Sequence, residues 1–430
     1  MAKIFLLLLV FGNPWLVRAQ TDSIVVPESQ VLDLELLVAE AMMNNLEIRA
    51  SVSQMDAMDA RIPQEKGLPD PEFKFMQENM PDFKFNEAMF SRFELMQEIP
   101  FPSKLGSRSD LARIRAEHSH HDHLEKANEV IARLKEMYFE LWLVQQNLVL
   151  DRENARLMAQ FLKIASSKYG LGLVPQQDVL KAQVELSMIR NDLLSLRQRE
   201  LSAKAMLMSI LNRAPSDTLG FAIIPEQVEF DANLDSLLDL ALHNRPMIVH
   251  DSLGIVEGTT MLSLANEEYL PDLKIGVERI ISPSGAQEGW SLIAGISIPF
   301  APWSLGKSGA RVDEANATIH RATALYQSSK LMVTARVKDL YYKVRASKEQ
   351  LSTYRVAILP QAQQSLTASS TAYQTGQTDF LMFIDAYRTN VRLMKDYFML
   401  RMGFDQSVAE LEREVGSRNI ASGIYERNSQ

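Results

Sequence analysis

The chain contains no cysteine. That excludes disulfides, thiolate metal sites, cysteine nucleophiles and any lipid anchor carried on a cysteine. Glycine and proline are scarce, 18 and 17 in 430 residues. Long stretches contain neither, which argues against an all-β fold and for long helices. Basic residues are outnumbered, 45 Lys and Arg against 54 Asp and Glu. A formal charge of −9 suits a nucleic-acid binder poorly, because counterion release from phosphates needs positive charge. No Gly-rich phosphate loop, HExxH pair or nucleophile elbow is present, so neither catalysis nor a cofactor is expected. What is there, 46% apolar and 23% charged residues, is the composition of a folded chain and not of a disordered one.

Long apolar runs are also few. Met1–Gln20 has the form of an export signal: Lys3 precedes the apolar stretch Ile4–Phe11, and Val17-Arg18-Ala19 forms a cleavage site before Gln20. Residues 1–19 are therefore expected to be removed. The competing reading, a membrane anchor, fails on length, since about a dozen apolar residues cannot span ~30 Å as a helix. The uncharged window Gly289–Gly306 contains Pro299 and Pro302, and Trp290, Leu292, Ala294, Ile296 and Ile298 recur at every second position. Period two with β-branched residues predicts a strand, so no transmembrane helix is expected.

The chain repeats itself. Leu68-Pro69-Asp70 returns as Leu270-Pro271-Asp272, Ile99-Pro100-Phe101 as Ile298-Pro299-Phe300, Leu105-Gly106 as Leu305-Gly306, and Tyr169 with Gly172 as Tyr373 with Gly376. The offsets are 202, 199, 200 and 204. Landmarks in one order at near-constant spacing indicate a tandem duplication. It divides the chain into a first repeat, 20–212, a linker, 213–235, a second repeat, 236–416, and a tail, 417–430.

Each repeat has one plan. In the first, a helix over Leu46–Gly67, broken near Pro63, precedes strands Glu72–Asn79 and Phe90–Ile99. Helix Ser107–Lys168, the turn Tyr169–Pro175 and helix Gln176–Asn212 follow. The second predicts helix Asn244–Tyr269, strands Leu273–Ile281 and Trp290–Pro299, helix Gly309–Ala372, turn Tyr373–Asp379 and helix Phe380–Val415. A helix of about 62 residues is ~93 Å long at 1.5 Å per residue and needs partners along its whole length. The two shorter helices of each repeat together match it. The expected fold class is mainly α with a small β part, built on long antiparallel coiled-coil hairpins. A soluble periplasmic coiled-coil structural or adaptor protein shares that pattern but has no use for the strands.

Four strands of 8–10 residues suit a tilted crossing of a bilayer. An open sheet edge in hydrocarbon leaves backbone groups unpaired, and four strands cannot close. Either the strands lie in water, or several chains share one barrel.

Gly67-Leu68-Pro69-Asp70-Pro71, the run Gln97-Glu98-Ile99-Pro100-Phe101-Pro102-Ser103-Lys104-Leu105-Gly106, Lys168-Tyr169-Gly170-Leu171-Gly172, Gln177 to Gln183, Asn244-Arg245-Pro246, Leu359-Pro360-Gln361-Ala362 and Ala372-Tyr373-Gln374-Thr375-Gly376 together resemble the TolC family of outer-membrane efflux channels. The Pro-Asp-Pro and Ile-Pro-Phe-Pro pieces are most like its heavy-metal cation efflux branch. The resemblance implies a homotrimer in the outer membrane of a Gram-negative-type bacterium. Four transmembrane strands per chain would form a 12-stranded barrel, and the helices a tunnel through the periplasm. It implies that the turns around Tyr169, Gly170, Gly172, Tyr373 and Gly376 are periplasmic tips, where the adaptor of an inner-membrane RND-type transporter docks. It implies a tunnel constriction at Asp178 and Asp385; Lys181 and Met382 stand at the other positions of that acidic pattern. Basic gate-locking residues after the tip glycines are replaced by Val174 and Thr378. Three copies of an aspartate facing an axis would form a cation-attracting ring.

His118, His120, His121 and His123 fall within six residues. On a helix, 118/121 and 120/123 are i,i+3 pairs able to share a metal ion. A solvated helix face is the plainer reading. Methionine, 21 residues, is expected mainly to fill irregular helix packing.

Overall fold

The computed structural model describes residues 31–78, 88–214, 216–225, 230–282, 285, 288–299, 301–303, 305–418 and 426–427. The proposed export signal lies outside them, as do Asn79, Phe300 and most of the tail. In chain order the elements begin with β1 (Val31–Leu32), α1 (Leu34–Asn44), α2 (Leu46–Asp59), α3 (Arg61–Lys66), β2 (Glu72–Glu78), β3 (Phe90–Ile99), α4 (Pro102–Gly170) and α5 (Gln176–Leu211). They continue with β4 (Phe221–Ala222), α6 (Leu234–Asn244), α7 (Pro246–Glu267), β5 (Leu273–Ile281), β6 (Gly289–Ile296), α8 (Leu305–Thr353), a π-helical segment (Tyr354–Ile358), α9 (Leu359–Thr375) and α10 (Phe380–Val415). The protein is mainly helical with a small sheet.

Two compact units emerge. One takes the chain up to Met43, Arg133–Val228 and Ser347–Gln406; the other takes Asn44–Ala132, Glu229–Ala346 and the chain from Ser407.

In the first unit, α4 contributes Tyr138 and α5 ends at Asn212, whose left-handed φ of 55° turns the chain out of the helix. The segment after it is pinned by side chains. The Tyr138 hydroxyl accepts from the Ile223 N–H at 2.9 Å and lies 2.9 and 2.8 Å from the carbonyls of Leu32 and Ile223. Gln145 donates to the Gly220 carbonyl and accepts from the Ala222 N–H. These bonds hold β4 beside β1 in a short parallel pair that the linker's composition does not announce. Arg213 forms a two-pronged pair with Glu40, both contacts at 2.6 Å.

In the second unit, β2-β3-β5-β6 form one antiparallel sheet. Its two faces differ chemically. Phe73, Phe75, Phe93, Leu95, Leu273, Ile275, Val277, Trp290, Leu292 and Ile296 share one face by register, and most of them are exposed. The other face carries Glu72, Lys74, Glu78, Arg92, Glu94, Glu98, Lys274 and Glu278. There Arg92 bonds Glu278 at 2.7 Å and reaches Glu78 at 3.3 Å. Where the sheet meets α4, the buried Lys104 ammonium donates to both Asp272 carboxylate oxygens (2.8 and 2.9 Å) and to the Leu270 carbonyl. The Phe101 N–H donates to the same carboxylate.

Several expected boundaries are corrected. The long helix expected from Ser107 already starts at Pro102. The first helix breaks at Ala60, and Pro63 sits inside α3, in the first turn, where a missing N–H costs nothing. The helix expected over Gly309–Ala372 starts at Leu305 and widens into the π segment just before Pro360, whose ring and absent N–H disfavour regular α geometry. The fourth strand stops at Ile296. Helices α1 and α6 were not expected. The α1–α2 break is capped by Asn45, whose side chain accepts from the N–H groups of Glu47 and Ile48; Pro246 starts α7 at the matching place.

Tyr138→Phe would strand three backbone groups that now share one hydroxyl. A loss of about 1–3 kcal/mol is expected. Thermal unfolding followed by circular dichroism should show a lower Tm, with faster proteolysis within 213–225; an unchanged Tm would contradict the pinning role.

Candidate functional site

Both helical turns in the first unit are built alike. After α4, the Leu173 N–H donates to the Lys168 carbonyl and the Gly172 N–H to the Tyr169 carbonyl, both at 2.9 Å. After α9, the Gln377 N–H donates to the Ala372 carbonyl at 2.8 Å and the Gly376 N–H to the Tyr373 carbonyl at 3.2 Å. These are two Schellman caps with the glycine in the left-handed region, φ 69° at Gly172 and 78° at Gly376. Gly170 is the last residue of α4, not part of the turn. The following helix starts differ: Pro175 caps α5 by backbone alone, while the Asp379 carboxylate accepts from the Met382 N–H at 3.0 Å.

The aromatic residues of the two turns part company. Tyr169 is about half exposed, beside exposed Leu171 and Leu173. Tyr373 is 1% exposed. Its ring packs with Phe161, Phe380 and Phe383, and Phe161 stacks on Phe383 at 3.9 Å. Lys168 donates to the Tyr373 carbonyl at 2.5 Å and lies over its ring. Tyr373 is therefore a core anchor that ties the two turns together. The exposed apolar surface at the two turns is made by Tyr169, Leu171, Leu173, Leu381 and Met382.

The two aspartates also separate. Asp178, in the first turn of α5, is buried, and burial raises its carboxyl above the usual range. Lys181 opposes that rise and Asp379 adds to it. Asp385 is exposed on α10. One turn further along, Arg388 donates to the buried Glu185 at 2.6 Å, a tie between α10 and α5 that no motif signalled.

The four histidines, in the second unit, do not converge. His118 meets His250 of α7, ring centroids 4.4 Å apart, with the Glu257 carboxylate 3.5 Å from its Nε2. His120 contacts Met55 Sδ at 3.3 Å, and His123 Nδ1 pairs with Ser51 Oγ at 2.8 Å. His121 touches the His120 ring. Among the described residues, no group of three or more His, Asp or Glu side chains is arranged to hold a metal ion. Burial lowers the pKa of His118, His121 and His123; His250 adds to the lowering at His118, and Glu257 opposes it. His250, far away in sequence, gave no signal of its own.

Residues 37–213 and 237–417 match the family described as Outer membrane efflux protein. The chain belongs to that family. Among relatives of this outer membrane efflux protein is the cobalt-zinc-cadmium resistance protein CzcC of Cupriavidus metallidurans, 21% identical over 395 residues, which cover 90% of each chain. The fold is that of solved outer-membrane channels. The Campylobacter jejuni CmeC channel aligns with a TM-score of 0.77 at 14% identity, over 92% of this chain and 87% of that one. CusC, whose structures describe folding and transmembrane channel formation, aligns at 0.75 and 16% identity, over 91% and 92%. The apolar sheet face and the paired glycine caps are thus features of an outer membrane efflux protein.

Gly376→Ala is expected to cost about 1–2 kcal/mol through the left-handed backbone alone, because an added Cβ meets nothing within 4 Å. Hydrogen exchange should speed up at Gln377 and Thr378 and stay unchanged in the sheet. The histidines set a pH dependence. Their depressed pKa values mean that the unfolded chain binds more protons once pH falls below the ordinary value of about 6.5, so stability present above it is lost on acidification. Tm should fall between pH 7.5 and 5.5, and fall less in a His118→Asn, His121→Asn, His123→Asn variant. Equal slopes would contradict this.

Proposed function

We propose that three copies of this chain form the outer-membrane exit duct of a tripartite efflux pump. The observation that carries this reading is the two-faced sheet. One face is apolar and exposed, the other is charged, and β2 and β6 are its edges. In hydrocarbon such edges must be paired, four strands are too few to close, and three chains supply twelve. The exposed stripe Leu180, Val184, Met188, Leu194, Leu201 and Met206 on α5 supports the same reading: it is an apolar helix face open to a neighbouring copy, with a groove of about 540 Å³ beside Leu180, Val184 and Met188. The chain should run on native gels near three times 48.6 kDa; a monomer would refute the assembly.

The exposed leucines at the caps are the proposed docking surface for a periplasmic adaptor, which links the duct to an inner-membrane transporter of the RND type. Heavy-metal cations are the proposed cargo. The name of the relative CzcC and the imidazole-rich stretch 118–123 support this, with the histidines as passing contacts instead of a resident site.

At the proposed constriction, burial separates the two aspartates. A charge turned into the protein contributes less to a pore than one facing water. Single-channel recordings in planar bilayers should show cation preference falling more in Asp385→Asn than in Asp178→Asn. The reverse order, or no change in either, would remove both from the constriction.

A further inference from the structure

We infer that β6 of one chain pairs antiparallel with β2 of a second copy in a single register, with Ile296 opposite Phe73. The inference rests on the trimeric reading above and deepens it. It starts from the observed pairing inside the chain.

The two hairpins are the same object. Glu72 opposite Met96 in the β2–β3 ladder becomes Lys274 opposite Gly295 in the β5–β6 ladder, when first strands are shifted by 202 and second strands by 199. Those are the offsets of the repeated Leu-Pro-Asp and Ile-Pro-Phe motifs. The two hairpins are joined by β3 against β5, with Gln97 opposite Ile275 and Leu95 opposite Val277. A ring of repeats must make that same joint again, now between β6 of one copy and β2 of the next. Applying the two shifts turns Gln97–Ile275 into Ile296–Phe73, and Leu95–Val277 into Ala294–Phe75.

Two features that played no part in this transfer agree with it. The first is facing. On β6 the apolar face carries Trp290, Leu292, Ala294 and Ile296, and on β2 it carries Phe73 and Phe75. A slip of one residue would set every apolar side chain of one strand on the charged face of the other. The second separates this register from slips of two. Ile293 is the bulky apolar residue on the charged face of β6, and Met76 is the apolar residue on the charged face of β2. The proposed register sets them opposite each other. A slip of two in either direction sets Ile293 against Lys74 or Glu78. Phe73, Phe75, Met76, Leu292 and Ile296 are all exposed in the single chain, as edge residues that await a partner strand would be. The contact is head-to-tail, so it closes a ring; pairing β2 with β2 would leave every β6 edge open.

The absence of cysteine makes the test clean, because an introduced pair is the only thiol pair. The full-length chain is expressed in outer membranes and oxidised mildly. Ala294→Cys with Phe75→Cys, and Ile293→Cys with Met76→Cys, probe the register. They are neighbouring positions, so one is a hydrogen-bonded pair and the other is not, and the set covers both Cα separations open to a disulfide. Ile293→Cys with Lys74→Cys, and with Glu78→Cys, probe the slips. Leu95→Cys with Val277→Cys is the control within one chain. The expected result is covalent trimer on denaturing gels from at least one in-register pair, several-fold above both slip pairs and reversed by reductant; the control should link without changing mass. Preferential linking of a slip pair, or no linking at any pair while the reduced protein runs as a trimer, overturns the register and leaves the trimer standing. A monomeric unsubstituted protein overturns both. Each variant's native size is compared with the unsubstituted chain, and one that fails to assemble is replaced by Leu292→Cys with Gln77→Cys in the same register.

Discussion

A backbone ladder of nine residue pairs, from Ser91–Ile281 to Ile99–Leu273, holds the two copies of the repeat in one sheet. It joins the second strand of one copy to the first strand of the other, so neither hairpin stands alone; an isolated two-stranded hairpin is marginal in water. The ladder also aligns the alternation of all four strands. That alignment is what gives the sheet one apolar and one charged face. At its helical end the ladder is anchored by Lys104 and Asp272, whose mutual bonds, with the Leu270 carbonyl, satisfy the buried ammonium. The two anchor residues come from the motifs that announce the duplication, Ile-Pro-Phe-Pro-Ser-Lys of the first copy and Leu-Pro-Asp of the second. The repeated motifs therefore interlock instead of each closing on itself.

The helical turns follow a different logic. Their geometry is local: a left-handed glycine, two backbone bonds, and a helix start three or four residues on. Local chemistry explains why the caps after α4 and α9 match bond for bond. It does not explain how they are held. That work falls to Tyr373, Phe161, Phe380 and Phe383, an aromatic cluster drawn from α4, α9 and α10, and to the charged ties Arg388–Glu185 and Lys395–Asp151. Helices of this length gain little from their own ends. Side contacts repeated along them must supply the stability.

Much of the fold was legible. The bounds of β3, β5 and α10 coincide with those read from the sequence, for the strands from period-two alternation. The sites were less so. Asp178 and Asp385 belong to one acidic pattern, at different positions of it, and one is buried while the other faces water. Tyr169 and Tyr373 are equivalent by offset, yet one is surface and the other core. The four histidines are close in sequence, but successive residues on a helix point about 100° apart, so apart from the His120–His121 ring contact their neighbours come from α2 and α7. His250 and Glu257 beside His118 were invisible, since nothing in the local sequence of α7 names α4 as its partner.

The sequence by itself determined the duplication, the alternation that makes a two-faced sheet, the glycine caps and the long uninterrupted helices. All of these depend on residues within a turn or two of one another, or on a period. Only the tertiary structure decided which strand of one copy meets which strand of the other, and which of two equivalent residues is buried. The physical reason is that duplication makes the two copies nearly interchangeable in sequence. The ladder between them and the packing around α4 break that equivalence, and they do so through contacts far apart along the chain.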